Sequence, residues 1–170
     1  KVLARTTHAE LTISIDPGHK YKVRCKLIKD DAIESEWSDF SDDKSTKPTS
    51  VTGFTTCKAS SKTSVYLAWN AVSEADSYDI EYASAEGLNI TSSSSSASNN
   101  LTQLFNESSQ TTTINNIKDT TSYTVSGLES GSTYYFRIRA VNSNGESSWS
   151  PVSYTTIGSK PQAPTTWSST

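Results

Sequence analysis

The sequence has few of the residues that carry out chemistry. Its 170 residues include two cysteines, two histidines and no methionine. Cys25 and Cys57 lie in different parts of the chain, so we expect free thiols, with Cys25 packed in a core, and two separated thiols do not form a zinc site. His8 and His19 lack a serine or cysteine nucleophile in a recognisable setting. The sequence therefore predicts no enzyme, no catalytic residue and no cofactor.

An acidic stretch over residues 30–36 is followed by Asp39, Asp42 and Asp43. A dedicated calcium loop needs alternating acidic ligands and a glycine at its sharp turn, and this stretch has neither. Charged side chains along the edge of a sheet discourage strand-to-strand aggregation. We therefore interpret the stretch as a solvated edge and not as a metal site.

Long apolar runs and concentrations of positive charge are also missing. No apolar run approaches the roughly 20 residues that span a bilayer. The net charge is -3, and the lysines and arginines are spread along the chain instead of forming a stripe. A basic stripe is the usual electrostatic footprint for nucleic acid. We therefore expect neither membrane insertion nor nucleic-acid binding.

Serine and threonine are abundant, and apolar residues alternate with polar ones. The chain has 32 serines and 23 threonines; threonine favours strands, whereas serine favours turns. Apolar residues recur at every second position in residues 65–69, 78–82, 123–125 and 134–140, which is the pattern of half-buried strands. Residues 142–145, Asn-Ser-Asn-Gly, favour a tight hairpin. The sequence predicts a β-sandwich without helices.

One phrase of the sequence occurs twice. Residues 15–25 and 128–138 share a glycine-containing turn followed by a strand that begins with tyrosine, and the copies lie 113 residues apart. Trp37-Ser38 follows the first copy and Trp149-Ser150 follows the second. This spacing predicts a repeated domain. The early position of the first copy predicts that the chain begins in the middle of one.

Residues 47–157 resemble a complete fibronectin type III domain, which is an immunoglobulin-like β-sandwich. The landmarks occur in the family's order: Pro48, Val51, Trp69, Tyr78, Ile80 and Tyr82, then a tyrosine corner from Leu128 to Tyr134 and the F-strand ending at residues 139–142. Residues 1–46 are similar to the C-terminal part of another such domain, and residues 158–170 to a linker and the start of a third. The resemblance implies tandem modules, with neighbouring modules of the same chain as partners.

An expanded loop covers residues 84–120, where a compact sandwich needs only a short strand and two turns. Its apolar residues favour an additional edge strand: Leu101, Leu104, Phe105, Ile114 and Ile117. Three N-glycosylation sequons begin at Asn89, Asn100 and Asn106. Because about a third of all positions are serine or threonine, the nine asparagines give about three sequons by chance. The sequons are therefore not a sign of glycosylation in a eukaryotic secretory pathway.

Arginines and tryptophans are placed to contact each other in both copies of the phrase. Trp37-Ser38 and Trp149-Ser150 follow strands that carry Arg24, or Arg137 and Arg139. This arrangement resembles half of the Trp-Ser-x-Trp-Ser signature of cytokine receptors, in which arginines stack on tryptophans. We expect a structural cation-π contact on the sheet surface, worth about 0.5–1 kcal/mol where it is exposed.

Three functions remain open. The favoured one is a non-catalytic spacer, because similar tandem arrays occur in bacterial surface proteins, as accessory modules of secreted polysaccharide-active enzymes and in phage tails, which implies an extracellular or virion-surface location. The second is adhesion to a cell-surface carbohydrate or protein through solvent-facing Tyr66, Tyr135 and the expanded loop, with Arg137, Arg139 and Trp149 nearby. The third is the ectodomain of a eukaryotic receptor, which requires glycans on the sequons.

Overall fold

The computed structural model describes residues 12–29, 33–88, 101, 105–106 and 110–159. We call residues 12–46 the first segment and residues 47–159 the sandwich. Several residues discussed above lie outside the described ones: His8, residues 30–32, Asn89, Asn100, Leu104 and residues 160–170. The predicted start of a third module therefore stays a prediction.

The first segment contains short antiparallel strands. They are β1 (Lys20–Tyr21), β2 (Ile28–Lys29), β3 (Ile33–Glu34) and β4 (Lys44–Ser45). Strand β1 pairs with β4, and β2 pairs with β3. The segment is therefore an antiparallel hairpin whose middle part is held by other hydrogen bonds, described below.

The sandwich has two antiparallel layers. Its strands are β5 (Phe54–Ser61), β6 (Ser64–Trp69), β7 (Ser77–Ser84), β8 (Thr112–Ile117), β9 (Ser122–Ser126), β10 (Thr133–Asn142), β11 (Gly145–Glu146) and β12 (Ser153–Thr156). One layer has the order β5-β6-β9, and the other has the order β11-β10-β7-β8 with β12 also paired to β10. The hairpin predicted at residues 142–145 joins β10 to β11 and is confirmed.

The core lies between the two layers. Strand β6 contributes Val65, Leu67 and Trp69, which are at most 3% exposed. Strand β10 contributes Phe136 and Ile138, which are fully buried. Alternate residues of a strand point to opposite faces, so the predicted two-residue pattern directs these side chains inward. The predicted all-β immunoglobulin-like sandwich is confirmed.

A tyrosine corner closes one end of the sandwich, as predicted. The hydroxyl oxygen of Tyr134 accepts a hydrogen bond from the backbone N-H of Glu129 at 3.0 Å. The first segment repeats this contact, because the hydroxyl of Tyr21 accepts from the N-H of Asp16 at 3.1 Å. The repeated phrase thus makes the same local structure twice.

The expanded loop agrees with only part of the prediction. Residues Ile114 and Ile117 lie on the edge strand β8, as expected. Leu101 and Phe105 are in helical conformation instead. Phe105 is 2% exposed and packs with Ala83 and Leu88, so its apolar side chain is buried without entering a strand. The expected additional edge strand is therefore confirmed at Ile114 and Ile117, but it does not include Leu101 or Phe105.

The expectation that Cys25 packs in a core is wrong, because its side chain is exposed. Its neighbours on the same face, Val23 and Leu27, are 47% and 79% exposed. In the sandwich, the layer β5-β6-β9 covers the corresponding face of β10. Among the described residues of the first segment, no second layer covers the apolar face of its hairpin.

Candidate functional site

Two arginines lie on the outer face of the β7-β10 sheet. Strand register places Arg137 opposite Glu81 and Arg139 opposite Asp79. The Nε of Arg137 donates to Glu81 Oε2 at 2.6 Å, and the Nε of Arg139 donates to Asp79 Oδ2 at 3.0 Å. Arg139 also forms an ion pair with Glu146. The same two-residue alternation that points apolar residues into the core therefore places each arginine beside a carboxylate on the outer face of the sheet.

Aromatic rings stack on these arginines. The Cζ of Arg137 lies 4.7 Å from the ring centroid of Trp149 and 4.8 Å from that of Phe105, and the Cζ of Arg139 lies 4.7 Å from Trp149. We call Arg137, Arg139, Trp149 and Phe105 the sandwich ladder. The predicted cation-π contact is confirmed. The value for an exposed contact does not apply to Arg137, which is 4% exposed and lies against Phe105 from the expanded loop.

Asn106 also belongs to the surroundings of Arg137. Its amide oxygen accepts a hydrogen bond from Arg137 Nη1 at 2.9 Å. The carboxylate of Glu81 accepts from Nε and neutralises the guanidinium, and Asn106 accepts a second hydrogen bond from it. The asparagine of one sequon therefore contributes to the packing of the sheet's outer face.

Serine side chains hold the segment that carries Trp149 against β10. The N-H groups of Ser147 and Ser150 donate to the carbonyls of Ala140 and Ile138 at 2.9 and 2.8 Å. Their hydroxyls accept from the N-H groups of the same two residues at 3.0 and 3.1 Å. Each hydroxyl takes the place of a backbone carbonyl in a regular strand pair. The regular strand β12 therefore begins only at Ser153, after Trp149.

The serine segment advances three residues for every two residues of the facing strand. Positions 147, 150 and 153 lie opposite positions 140, 138 and 136. Each extra residue acts as a β-bulge, which re-aims the neighbouring side chain. Trp149, directly before Ser150, is thereby positioned over the two arginines.

The first segment has the same serine spacing. Its serines at 35, 38 and 41 donate from their N-H groups to the carbonyls of Leu27, Cys25 and Val23 at 2.8–2.9 Å. Their hydroxyls accept from the N-H groups of those residues at 2.9–3.1 Å. The three-residue serine period in the sequence was the signal for this structure, and a search for helix and strand periods does not detect it.

Arg24 stacks between two aromatic rings in the first segment. Its Cζ lies 4.7 Å from the ring centroid of Trp37 and 4.8 Å from that of Phe40, and Lys26 Nζ lies 5.2 Å from Trp37. We call Arg24, Lys26, Trp37 and Phe40 the first ladder. Trp37 is 40% exposed and Phe40 57%. Sequence reasoning missed Phe40, although it precedes Ser41 as Trp37 precedes Ser38.

Two tyrosines form a pair on neighbouring strands. Tyr135 on β10 lies opposite Tyr154 on β12, and their ring centroids are 5.5 Å apart. Burial, with a smaller contribution from Tyr154, raises the pKa of Tyr135. Tyr66 and Tyr135 were expected to face solvent, but both are half-buried. Tyr154, at 63% exposure, is the more accessible ring.

The geometry of the described residues offers little for catalysis. A cavity of about 420 Å³ on the first segment is lined by apolar residues, serines, Arg24 and the carboxylate of Asp39. His19 is exposed, and its Nδ1 contacts the carbonyl of Pro17 at 2.8 Å. Burial raises the pKa of the Cys57 thiol to about 11, which disfavours the nucleophilic thiolate.

Neither a metal-binding cluster nor a membrane-spanning helix occurs among the described residues. They contain no group of three His, Cys, Asp or Glu side chains placed to hold a metal ion. They also contain no helix with the length and apolar character needed to cross a membrane.

Comparisons with known proteins identify the sandwich. Residues 47–156 match the family model of the fibronectin type III domain. A curated relative, the Kelch domain-containing protein SSO1033 of Saccharolobus solfataricus, is 35% identical over 101 residues, which are 59% of this chain and 11% of that protein. The chain thus spans about a tenth of the length of this relative.

Two solved structures are similar to this chain at low sequence identity. The FN5 domain of Drosophila Lar is 14% identical, with a TM-score of 0.44, and the match covers 66% of this chain and 96% of that one. The FN1–FN3 domains of chicken CNTN1 are 16% identical, with a TM-score of 0.46, over 85% of this chain and 45% of theirs. Through residues 47–156, this chain belongs to the fibronectin type III family.

Proposed function

We propose that the chain is a non-catalytic structural spacer in a multidomain extracellular or virion-surface protein, built from tandem fibronectin type III modules. Residues 1–46 end one module, residues 47–157 form the next, and residues 158–170 lead into a third. Its partners are neighbouring modules of the same chain.

The observation that carries this proposal is the mutual pairing of the charged residues on the outer face of the sandwich. Arg137 bonds Glu81 and Asn106, and Arg139 bonds Asp79 and Glu146. Groups that are engaged with one another are expected to stabilise a sheet, and binding an external ligand would require breaking these bonds. The curated relative is a far longer protein, in which the matched region occupies 11%, and this supports a module within a larger chain.

A second candidate function, adhesion to a carbohydrate, is favoured by Tyr154. Its ring is 63% exposed and lies beside Tyr135 at 5.5 Å. Exposed aromatic faces provide apolar area with a polar hydroxyl at the edge, which suits a partly polar ligand. The pair lies on the outer face of the sheet, where Tyr135 packs against the small apolar cluster of Ala83, Leu88 and Phe105.

A glycan array probed with the 170-residue chain separates the two functions. The spacer proposal expects no binding above background on any glycan. Binding that is lost in Tyr154→Ala, but kept in Tyr154→Phe and in Thr156→Ala on the same strand, would overturn it in favour of adhesion. Tyr154→Phe retains the ring, and Thr156→Ala controls for a change at an exposed position of the same edge strand.

A further inference from the structure

The connection between the first segment and the sandwich is short and is tied to the corner of the first segment. Strand β4 ends at Ser45, and Pro48 is already fully buried in the sandwich. Between them, the N-H of Thr46 donates to the carbonyl of His19 at 3.1 Å, and the hydroxyl of Thr46 accepts from the N-H of His19 at 3.1 Å. Thr46, in the connection, is therefore held by two hydrogen bonds to His19 in the first segment.

The sandwich fixes the same connection from the other side. The side-chain nitrogen of Asn142 donates to the carbonyl of Thr46 at 2.8 Å and to the carbonyl of Glu74 at 2.9 Å. Its oxygen accepts from the N-H of Asn144 at 2.8 Å, within the β10-β11 hairpin. One amide thus joins the connection, the hairpin and the β6-β7 turn.

Glu74 reaches from the sandwich to the first segment. Its carboxylate lies 3.6 Å from Lys20 Nζ and 3.5 Å from Ser45 Oγ. Its backbone has a φ of 62°, a left-handed conformation that is uncommon for a residue other than glycine. Such conformations persist where the surrounding contacts determine them. The bond from Asn142 and the contacts with Lys20 and Ser45 are such contacts.

Close packing completes the contact. Gly18 in the first corner has a φ of 74°, and its N-H donates to the carbonyl of Lys47 at 2.8 Å. A Cβ on Gly18 would lie 2.7 Å from Thr49 Cγ2, closer than real Cβ atoms approach. A side chain at this position would therefore require Thr49 to move and would be strained by the positive φ.

We propose that residues 17–20 and 44–49, together with Glu74 and Asn142, form a fixed joint. It holds the first segment in one orientation against the sandwich, whereas an ordinary short linker lets neighbouring modules reorient. The inference rests on the proposed spacer function, and it names what the spacer would gain: a set direction between neighbouring modules.

The second corner supplies half of a similar joint at the other end of the sandwich. The N-H of Gly131 donates to the carbonyl of Ile157 at 3.0 Å, and the hydroxyl of Ser130 donates to the carbonyl of Gly158 at 2.9 Å. Gly131 also has a positive φ, of 89°. The partner that fits this end is another β-sandwich module, whose own hairpin amide and turn would take the roles of Asn142 and Glu74.

Residual dipolar couplings of the 170-residue chain test the joint. A single alignment tensor is expected to fit the amides of the first segment and of the sandwich together. Asn142→Asp keeps the oxygen that accepts from Asn144 but removes both donors, so the common tensor should be lost and the couplings of the first segment should shrink. Asn144→Asp makes the same charge change two residues away and should keep one tensor.

The proposal is overturned by a wild-type chain that needs two tensors or by an Asn142→Asp chain that keeps one. Because Asn142→Asp also touches the hairpin, Gly18→Ala serves as a second variant whose steric conflict lies outside the sandwich core. It should lose the common tensor while the sandwich amides keep their chemical shifts, and an unchanged tensor would contradict the joint. A ligand found on the glycan array would remove the spacer function without changing any of these couplings.

Discussion

Each of the two ladders stacks an arginine between a tryptophan and a phenylalanine, but the two differ strongly in burial. Arg24 stacks between Trp37 and Phe40, and these rings are 40% and 57% exposed. Arg137 stacks between Trp149 and Phe105 and is itself 4% exposed. The second ring of the first ladder comes from the serine segment, whereas that of the sandwich ladder comes from the expanded loop.

This difference shows that a local sequence repeat can determine the local geometry without determining how much that geometry stabilises the fold. In both ladders the serine hydroxyls bond the facing strand and the cation meets a tryptophan face. Exposed cation-π contacts are worth about 0.5–1 kcal/mol, and breaking a buried ion pair by removing one partner costs about 3–5 kcal/mol. Because Phe105 buries Arg137 and Glu81 pairs with it, Arg137 belongs to a buried ion pair and not to an exposed cation-π contact.

The largest expected effect is the loss of Arg137. Arg137→Ala leaves Glu81 with no guanidinium beside it, and the free energy of unfolding of the sandwich should fall by about 3–5 kcal/mol. Arg24→Ala should lower the stability of the chain by no more than about 1 kcal/mol. Urea unfolding followed by tryptophan fluorescence measures both.

A double variant controls for the buried charge. In Arg137→Met with Glu81→Gln, both charges are gone and the space is largely filled, so the loss should be less than half that of Arg137→Ala. Equal losses for Arg24→Ala and Arg137→Ala would break the proposed contrast between the ladders.

The next effect concerns the serine hydroxyls. Ser150→Ala leaves the N-H of Ile138, a fully buried residue, without its acceptor, and this should cost about 1–3 kcal/mol. Ser38→Ala frees the N-H of Cys25, which water reaches, so we expect a cost of about 0.5 kcal/mol. Ser148→Ala, at an exposed position between the two sandwich serines, should change little. A larger loss in Ser38→Ala than in Ser150→Ala would contradict the assignment.

The smallest expected effect compares the two thiols. Burial raises the pKa of Cys57 to about 11, so at about pH 8 only about a thousandth of it is thiolate. Cys25 is exposed. Native chain treated with iodoacetamide should therefore be modified at Cys25 at least about tenfold faster than at Cys57, as read by peptide mass spectrometry. The two rates should converge in guanidinium chloride, and convergence without denaturant would mean that Cys57 is not buried.

Much of the fold could be predicted from local sequence patterns. The alternation in β7 and β10 predicts which side chains enter the core, and the hairpin at residues 142–145 follows from Asn-Gly. The corner at Tyr134 follows from the resemblance to a known family. All of these depend on residues close together in sequence, where the backbone leaves few alternatives.

The site was predicted only in part, for two physical reasons. The contact of Phe105 with Arg137 depends on the path of the expanded loop, and no short-range pattern determines that path. The three-residue serine period matches neither a helix nor a strand, so the hydrogen bonds of Ser35 and Ser38 and the stacking of Phe40 on Arg24 were not predicted. Cys25 was misjudged because the burial of a strand residue depends on a second layer over the strand and not on the strand itself.

The central claim is that burial, and not the stacking contacts that both ladders share, makes the sandwich ladder the more stable one. Hydrogen exchange at two backbone amides tests this claim most directly. The N-H of Ile138 and the N-H of Cys25 each donate to a serine hydroxyl, at 3.1 and 3.0 Å. In the wild-type chain we expect Ile138 to exchange only with global unfolding, and Cys25 to exchange at least about a hundredfold faster. Equal protection of the two amides would contradict the account.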